Sequence, residues 1–316
     1  MTGHRMLVHT IFVLLLPLIV AWFGISFAGA LGLLLVALAW RWAISLSGIV
    51  APAKTPDLEL ETIGASHFVE KVRWCLDRLG VEYTERQMVG VLGVFFTGRS
   101  VPQLKIRSGL VRSSIGNSPE ILRYLWGAYA ATLGDSAKFL EPTRERLELE
   151  KRLDRYGVDL QVWVYYHILD DRELTLYGWG CSNPVVPAWQ RYTVMAIFPV
   201  LRVLMRKAFR ISETGYARAV ENIECILAEF NGRLANGRRS IVGTGEIDFV
   251  DITFASISAL WMQPPEFGGE TSAAIRIDRE RAPPAMRTDI ERWITTYPDA
   301  CGFISRLYQR ERQVRM

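Results

Sequence analysis

A serine directly before an amphipathic helix is the residue in this sequence best placed to do chemistry. Ser66 precedes a segment whose apolar residues share one helical face and which ends at Gly80. A hydroxyl at a helix N-terminus can donate a hydrogen bond to an anion, such as a thiolate, that the helix dipole also stabilises. The same hydroxyl can instead cap the helix, and both roles stay open. His67 could be a second donor to that anion, or an exposed side chain without a role.

The four cysteines indicate neither a metal site nor a disulfide framework. They are far apart and form no CxxC pair, which favours a reducing compartment. Cys75 falls on the apolar face of the helix after Ser66, and this disfavours thiol–disulfide exchange. A net charge of +4 over 316 residues is mild, so nucleic acid is not an expected partner. One aromatic group could line an apolar pocket, or belong to a core: Trp163, Tyr165, Tyr166 and His167.

Strand and helix patterns alternate around Ser66 between residues 57 and 130. Alternating apolar residues predict strands, and apolar residues at helical spacing predict helices. The predicted elements are a strand from Leu58 to Thr62, the helix after Ser66, a strand from Val81 to Met88, a strand that begins at Val101-Pro102, and a helix that opens at Asn117-Ser118-Pro119.

Three pieces of this segment resemble, in their order, the N-terminal half of cytosolic glutathione transferases. They are SHFVEKVRWCLDRLGVEY, SVPQL and GNSPEILRYL. The resemblance implies an α/β, thioredoxin-like, glutathione-binding domain at residues 57–130, followed by an all-helical glutathione-transferase C-terminal domain. It also implies glutathione as co-substrate, no metal, and the possibility of a homodimer.

The resemblance gives each matching residue an expected role. Ser66 matches the family's catalytic serine, whose hydroxyl stabilises the glutathione thiolate. Val101-Pro102 matches a cis-proline turn whose backbone pairs with the cysteine of glutathione; without the resemblance, Pro102 would simply begin an edge strand. Asn117 and Ser118 match the pair that holds the γ-glutamyl group, with Ser118 and a helix N-terminus binding its carboxylate. Asn117 lacks the charge of the usual acid, and an ordinary helix cap explains the pair equally well.

Residues 140–316 have the pattern of an all-helical domain. After Gly245 the sequence predicts a helix capped by Asp248, with Asp251 as its acidic partner three residues later. This segment resembles the capped helix in the C-terminal domain of the same family, where the acid has a structural role. The arginine-rich end could contact anionic lipid, or be a solvated helix end; its members are Arg306, Arg310, Arg312 and Arg315.

Residues 1–50 predict a membrane anchor. Between residues 6 and 50 the strongly polar side chains are His9 and Arg41, and the run is about twice as long as one span needs. A two-helix hairpin divided near Gly24 is therefore predicted, with the basic residues and the folded domains on the cytoplasmic side. One long bent helix and a cleaved signal peptide are the alternatives. Residues 51–56 contain two prolines and form the predicted linker.

These features together predict an integral membrane enzyme of detoxification. It would add the glutathione thiolate to a hydrophobic electrophile or peroxide near the membrane. Its expected partners are glutathione, a hydrophobic small-molecule substrate, and the lipid bilayer through residues 6–50. The alternative is a non-catalytic module with the same fold that binds a partner at a membrane. Asn117 and the apolar stretch from Val89 to Phe96 favour that alternative.

Overall fold

The chain divides into two compact units. A computed structural model describes residues 19, 24, 26–50, 55–89, 91–92, 101–108, 111–269, 274–277 and 279–312. One unit comprises residues 1–57 and 106–113, and the other residues 58–105 and 114–316. The first half of the predicted hairpin and most of the predicted linker lie outside the described residues, apart from a few positions.

Helix α1 (Phe27–Val50) belongs to the first unit and contains the second half of the predicted anchor. Several of its large apolar side chains are more than half exposed, among them Phe27, Val36, Trp40 and Trp42. By length and hydropathy, none of the helices in the described part of the chain qualifies as a membrane span.

A four-stranded sheet carries the predicted site. Its strands follow the order β2-β1-β3-β4, and β1 and β2 run parallel. A parallel pair needs a crossover connection, which helix α2 provides here. The predicted strand within residues 81–88 is shorter than expected, and β4 was not predicted because its sequence, VRSSIG, lacks a clear alternation of apolar residues. The elements are β1 (Asp57–Thr62), α2 (His67–Leu79), β2 (Thr84–Gln87), β3 (Gln103–Ser108) and β4 (Val111–Gly116).

The rest of the second unit is helical, as the pattern beyond residue 140 predicts. Helix α8 lies at the centre, where it packs against α2 and α4, and α7 packs along α4. The helices are α3 (Ser118–Leu133), α4 (Arg144–Ile168), α5 (Arg172–Gly178), α6 (Ala188–Ala208), α7 (Glu213–Leu234), α8 (Phe249–Met262), α9 (Pro284–Thr296) and α10 (Pro298–Glu311).

The capping box of α8 is present as predicted. The Asp248 carboxylate accepts hydrogen bonds from the N–H groups of Val250 (2.8 Å) and Asp251 (3.4 Å). Asp251 in turn accepts from the N–H groups of Asp248 (3.0 Å) and Ile241 (2.8 Å). Both carboxylates are buried, so they satisfy backbone groups that would otherwise be unpaired at the start of the central helix. Their role is structural.

Helix α2 is buried on more than its apolar face. The predicted apolar residues from Val69 to Leu79 are buried, and so are Glu70, Lys71 and Arg73. Lys71 Nζ lies 2.7 Å from the Glu150 carboxylate of α4, and Arg73 lies 2.7 Å from that of Glu70. A buried charge is tolerated when it is paired and hydrogen-bonded, which explains why a helix with this many charged residues can be internal.

Arg312 is buried, which contradicts both interpretations of the arginine-rich end at this residue. Its side chain is 1% exposed and lies 2.7 Å from both Glu70 Oε1 and Asp77 Oδ2 of α2. The guanidinium carbon also lies 5.6 Å from the ring centroid of Trp74. Arg312 is therefore neither a lipid contact nor a solvated helix end, because two carboxylates far away in the sequence bind it inside the fold.

Candidate functional site

Ser66 is the N-cap of α2. Its backbone is extended (φ −81°, ψ 118°), and its Oγ accepts a hydrogen bond from the Val69 N–H at 3.3 Å. A serine hydroxyl has one proton to donate and two lone pairs to accept with. Capping uses a lone pair, so the O–H proton remains available to an anion at the start of α2. The structural and the chemical role of Ser66 are therefore compatible.

His67 is buried, so the interpretation of this residue as an exposed side chain is wrong. It is 2% exposed, and its ring centroid lies 4.2 Å from that of Phe68. A Cβ atom at Gly157 of α4 would lie 2.7 Å from Phe68 Cζ and 3.1 Å from His67 Nε2. Because Gly157 has no side chain, the His67 imidazole fits between α2 and α4. Burial lowers the pKa of His67 to about 3, against the opposing effect of the Gly157 backbone, so the ring is neutral.

The Val101–Pro102 peptide bond is cis. Pro102 is buried and directly precedes β3, an inner strand of the sheet, which argues against its interpretation as the start of an edge strand. Its carbonyl oxygen accepts a hydrogen bond from the Asn117 N–H at 3.2 Å. The fold therefore brings the proline turn and the start of α3 together, although 15 positions separate them in the sequence.

Asn117 precedes α3 in an unusual backbone conformation. Its φ of 75° and ψ of 130° lie outside the regions that residues with a side chain favour. Such a conformation costs about 1–3 kcal/mol and persists where surrounding contacts fix it. Asn117 occupies the N-cap position, but its side chain is exposed and makes no capping hydrogen bond. Capping of α3 does not explain this conformation.

Ser118 is the first residue of α3 and has an unsatisfied hydroxyl. The residue is 1% exposed, and its Oγ has no hydrogen-bond partner among the described residues. A buried polar group without a partner costs about 1–3 kcal/mol. The N-terminus of a helix also binds anions, because its first N–H groups have no partner within the helix. Chemically, this helix start is suited to a carboxylate.

Ser66 and the α3 start are not joined directly. Within the described ranges, no hydrogen bond or ion pair links Ser66 to Val101, Pro102, Asn117 or Ser118. Helices α2 and α3 do pack against each other. The predicted binding residues are thus found in two local arrangements on neighbouring helices.

The sulfur chemistry considered for Cys75 has no support in the fold. The side chain is fully buried on the inner face of α2, and burial raises the pKa of the thiol to about 12. Thiol–disulfide exchange requires an accessible thiolate, and Cys75 is neither accessible nor ionised near neutral pH.

The aromatic cluster of α4 takes part in side-chain packing: Trp163 is buried, and Tyr165, Tyr166 and His167 are partly buried. Trp163 Nε1 donates to Asp289 Oδ2 at 2.9 Å, and the Tyr166 ring stacks on Tyr216 with centroids 4.2 Å apart. Tyr216 also donates to Asp289 Oδ2, at 2.7 Å. Sequence reasoning missed Asp289, because nothing local marks an acid in α9 as the acceptor for side chains of α4 and α7.

Metal ligands do not cluster in the described part of the chain: no group of three or more His, Cys, Asp or Glu side chains there could hold a metal ion.

Comparison with known proteins gives structural but not sequence relatives. No protein-family model and no curated protein matches the chain. A glutathione transferase from Burkholderia graminis, solved with two glutathione molecules per subunit, matches with a TM-score of 0.50 and 14% identity, over 86% of this chain and 91% of that one. A β-etherase from Sphingobium matches with a TM-score of 0.49 and 17% identity, over 81% and 96%. A glutathione transferase from Methylobacterium radiotolerans, solved with glutathione sulfonate, matches with a TM-score of 0.48 and 16% identity, over 81% and 92%.

Identities this low establish a shared architecture only. The sheet order, the helix that crosses between its parallel strands and the helical half beyond it agree with that architecture. The chain therefore has the glutathione transferase fold.

Proposed function

We propose that this protein is a glutathione transferase, which adds the thiolate of glutathione to a hydrophobic electrophile or peroxide. The observation that carries the proposal is the start of α3, where Asn117 is held in a strained conformation and the Ser118 hydroxyl is unsatisfied. Neither feature stabilises the fold, and strained or unsatisfied groups concentrate at ligand-binding sites. The glutathione bound to the Burkholderia graminis transferase supports the choice of ligand.

The α3 start would hold the γ-glutamyl end of glutathione. The carboxylate of the tripeptide would accept hydrogen bonds from the Ser118 hydroxyl and from the first N–H groups of α3. Rotation about χ1 of Ser118 would turn its hydroxyl oxygen towards this carboxylate. The exposed Asn117 amide oxygen would accept a hydrogen bond from the glutathione ammonium. Because the amide is neutral, Asn117→Asp is expected to bind glutathione more tightly than the natural chain.

Ser66 would supply the chemistry. A free thiol has a pKa near 8.5, so only a few per cent of it is ionised at neutral pH. Lowering this pKa by about two units requires about 2.7 kcal/mol of stabilisation of the thiolate. One charge-assisted hydrogen bond from the Ser66 O–H, together with the dipole of α2, is of that size. The capping bond from Val69 would fix the Ser66 oxygen in place for this role.

The proposal includes attachment to a membrane through residues 6–50, with the folded part of the chain on the cytoplasmic side. The apolar run in the sequence and the exposed large apolar side chains of α1 support it. A substrate that partitions into lipid would then be concentrated near the enzyme, which is why a hydrophobic electrophile or peroxide is proposed.

A non-catalytic binding module is the second candidate. The neutral Asn117 favours it, because the ligand ammonium would lack a full countercharge. Capping by itself also accounts for a serine at position 66. Such a module would keep the fold for a partner and would not turn over glutathione.

Binding and turnover together separate the two candidates. Full-length, detergent-solubilised protein is titrated with glutathione by calorimetry, then assayed with glutathione and an aryl halide or an organic peroxide. Ser66→Ala is expected to keep glutathione binding and to lose about 100-fold in kcat/KM, the equivalent of about 2.7 kcal/mol.

Ser212→Ala is the matched control. Ser212 caps α7 by accepting from the Gly215 N–H at 3.1 Å, so this variant loses the same kind of cap at another helix. It should retain full kcat/KM. Binding without turnover would favour the module, and the absence of glutathione binding would refute the transferase.

A further inference from the structure

Helices α5 and α6 share a cluster of buried apolar side chains. The cluster joins the inner face of α6 to residues around α5 and to the chain after β2. Val89 also donates its N–H to Gln190 Oε1 at 3.1 Å, which fixes the start of α6 to that segment. The inner face of α6 is therefore fully used in packing; its buried residues are Gln190, Val194, Phe198, Leu201 and Met205.

The outer face of α6 is apolar as well. Trp189 and Tyr192 are 66% and 68% exposed, and Val200 and Val203 are 59% and 49% exposed. Ala196, between them, is also exposed. Spacings of three and four residues place these five side chains on one helical face. They form the α6 stripe, which is about 21 Å long at 1.5 Å per residue.

The charge on α6 has one sign. Residues 188–208 contain no aspartate or glutamate, and the last turn carries Arg206 and Lys207. The side chains of Arg202 and Arg206 are each 44% exposed and lie 3.6 Å and 2.7 Å from the Asp170 carboxylate, whose side chain is 67% exposed. One carboxylate thus faces two arginines, and together with Lys207 the end of the stripe keeps a positive excess.

We propose that the α6 stripe is a docking surface for a lipid bilayer that contains anionic phospholipids. Tryptophan and tyrosine are enriched at membrane interfaces, where their rings sit at the level of the headgroups. A helix with one apolar face and basic residues lies parallel to the bilayer plane, with the apolar side chains inserted between headgroups and acyl chains. The cations at the end of the stripe would contact the phosphates.

Charge favours this occupant over a second copy of the chain. In a contact between two stripes, the cations of one α6 would need carboxylates on the other, and the helix offers none. An anionic bilayer supplies negative charge along the whole length of the stripe. The surface belongs to the second unit and does not depend on residues 6–50, so it is a separate proposal from the membrane attachment above.

Spin labels on the full-length chain test the proposal. Cys225, the exposed cysteine, is first replaced by serine, since Cys75, Cys181 and Cys301 are buried. A nitroxide is then attached at Val203→Cys or, as a matched control, at Val158→Cys on α4. The two valines are 49% and 48% exposed, and both lie in the second unit, so the two labels differ in the helix that carries them and not in exposure. Collision of each label with oxygen, which partitions into lipid, and with a water-soluble nickel chelate is measured in vesicles of phosphatidylcholine and phosphatidylglycerol.

The label at position 203 is expected to show a several-fold higher ratio of oxygen to nickel collisions than the label at position 158. Replacing both Arg206 and Lys207 by glutamine should lower the ratio at position 203 towards its value in phosphatidylcholine alone. Equal, water-like ratios at both positions, or no association with the vesicles, would overturn the proposal. The proposal would also be overturned if, in detergent without vesicles, the label at position 203 were protected from collision with the nickel chelate and its spectrum showed spin–spin broadening. That result would identify a second copy of the chain as the occupant.

Discussion

The start of α2 and the start of α3 are built in different ways. At α2, Ser66 caps the helix and His67 fills a space against α4 that Gly157 leaves open. At α3, the backbone of Asn117 is strained, and the hydroxyl of Ser118 is buried without a partner. Folding alone therefore accounts for the residues at α2, whereas those at α3 cost stability. The support for a ligand therefore comes from α3, although the proposed chemistry takes place at α2.

The largest expected effect concerns His67 and pH. Unfolded histidine has a pKa of about 6.5 and folded His67 one of about 3, so the unfolded chain binds the proton more readily. This stability contribution is complete above the unfolded pKa and is lost as the pH falls towards 3. The natural chain should lose about 2 kcal/mol of unfolding free energy through this group between pH 7 and pH 5. Urea unfolding of the natural chain and of His67→Gln at both pH values measures this loss. If both proteins lost the same unfolding free energy between pH 7 and pH 5, His67 would not be a neutral packing group.

A smaller effect is expected for the cap of α2. Ser66→Ala should lower the unfolding free energy by about 1 kcal/mol, because the Val69 N–H loses its acceptor. Ser212→Ala should cost a similar amount for the same reason. Denaturant unfolding of both variants without glutathione is the measurement. A negligible cost for Ser66→Ala alone would mean that Ser66 is not kept for folding, which would remove the contrast with α3.

Asn117→Gly should raise the unfolding free energy, by about 0.5–1 kcal/mol, because glycine adopts a positive φ without steric cost. The same variant should bind glutathione less tightly, since it lacks the amide. Asn236→Gly is the control: Asn236 has φ 62° and ψ 27°, a left-handed conformation that asparagine tolerates. Its unfolding free energy should stay nearly constant. Destabilisation by Asn117→Gly would mean that the fold itself uses the asparagine side chain.

The last prediction concerns Ser118. Removal of a buried hydroxyl that has no partner should raise the unfolding free energy of Ser118→Ala, by about 1 kcal/mol, and should not lower it. Glutathione affinity should nevertheless fall about tenfold, since one hydrogen bond to a carboxylate is lost. Ser258→Ala, which loses a buried 3.0 Å hydrogen bond to the Tyr156 hydroxyl, should instead destabilise the fold by about 1 kcal/mol. Unchanged glutathione affinity in Ser118→Ala would place the ligand elsewhere.

Features that depend on a few neighbouring residues could be predicted from the sequence. The cap at Ser66, the capping box of Asp248 and Asp251, and the start of a helix at Ser118 each follow from side chains within one helical turn. The order of strands and helices follows from apolar periodicity in the same way. With the resemblance added, these local signals gave the fold and the candidate residues.

Only the tertiary structure decided the environments of His67, Arg312 and Asn117. His67 is buried against Gly157 of α4, and Arg312 pairs with the carboxylate of Glu70, 242 positions away in the sequence. Asn117 is strained while its N–H is hydrogen-bonded to Pro102, a contact between segments that are not adjacent in the sequence. Burial, charge pairing and backbone strain are set by contacts between distant segments, and periodicity within one segment carries no information about them.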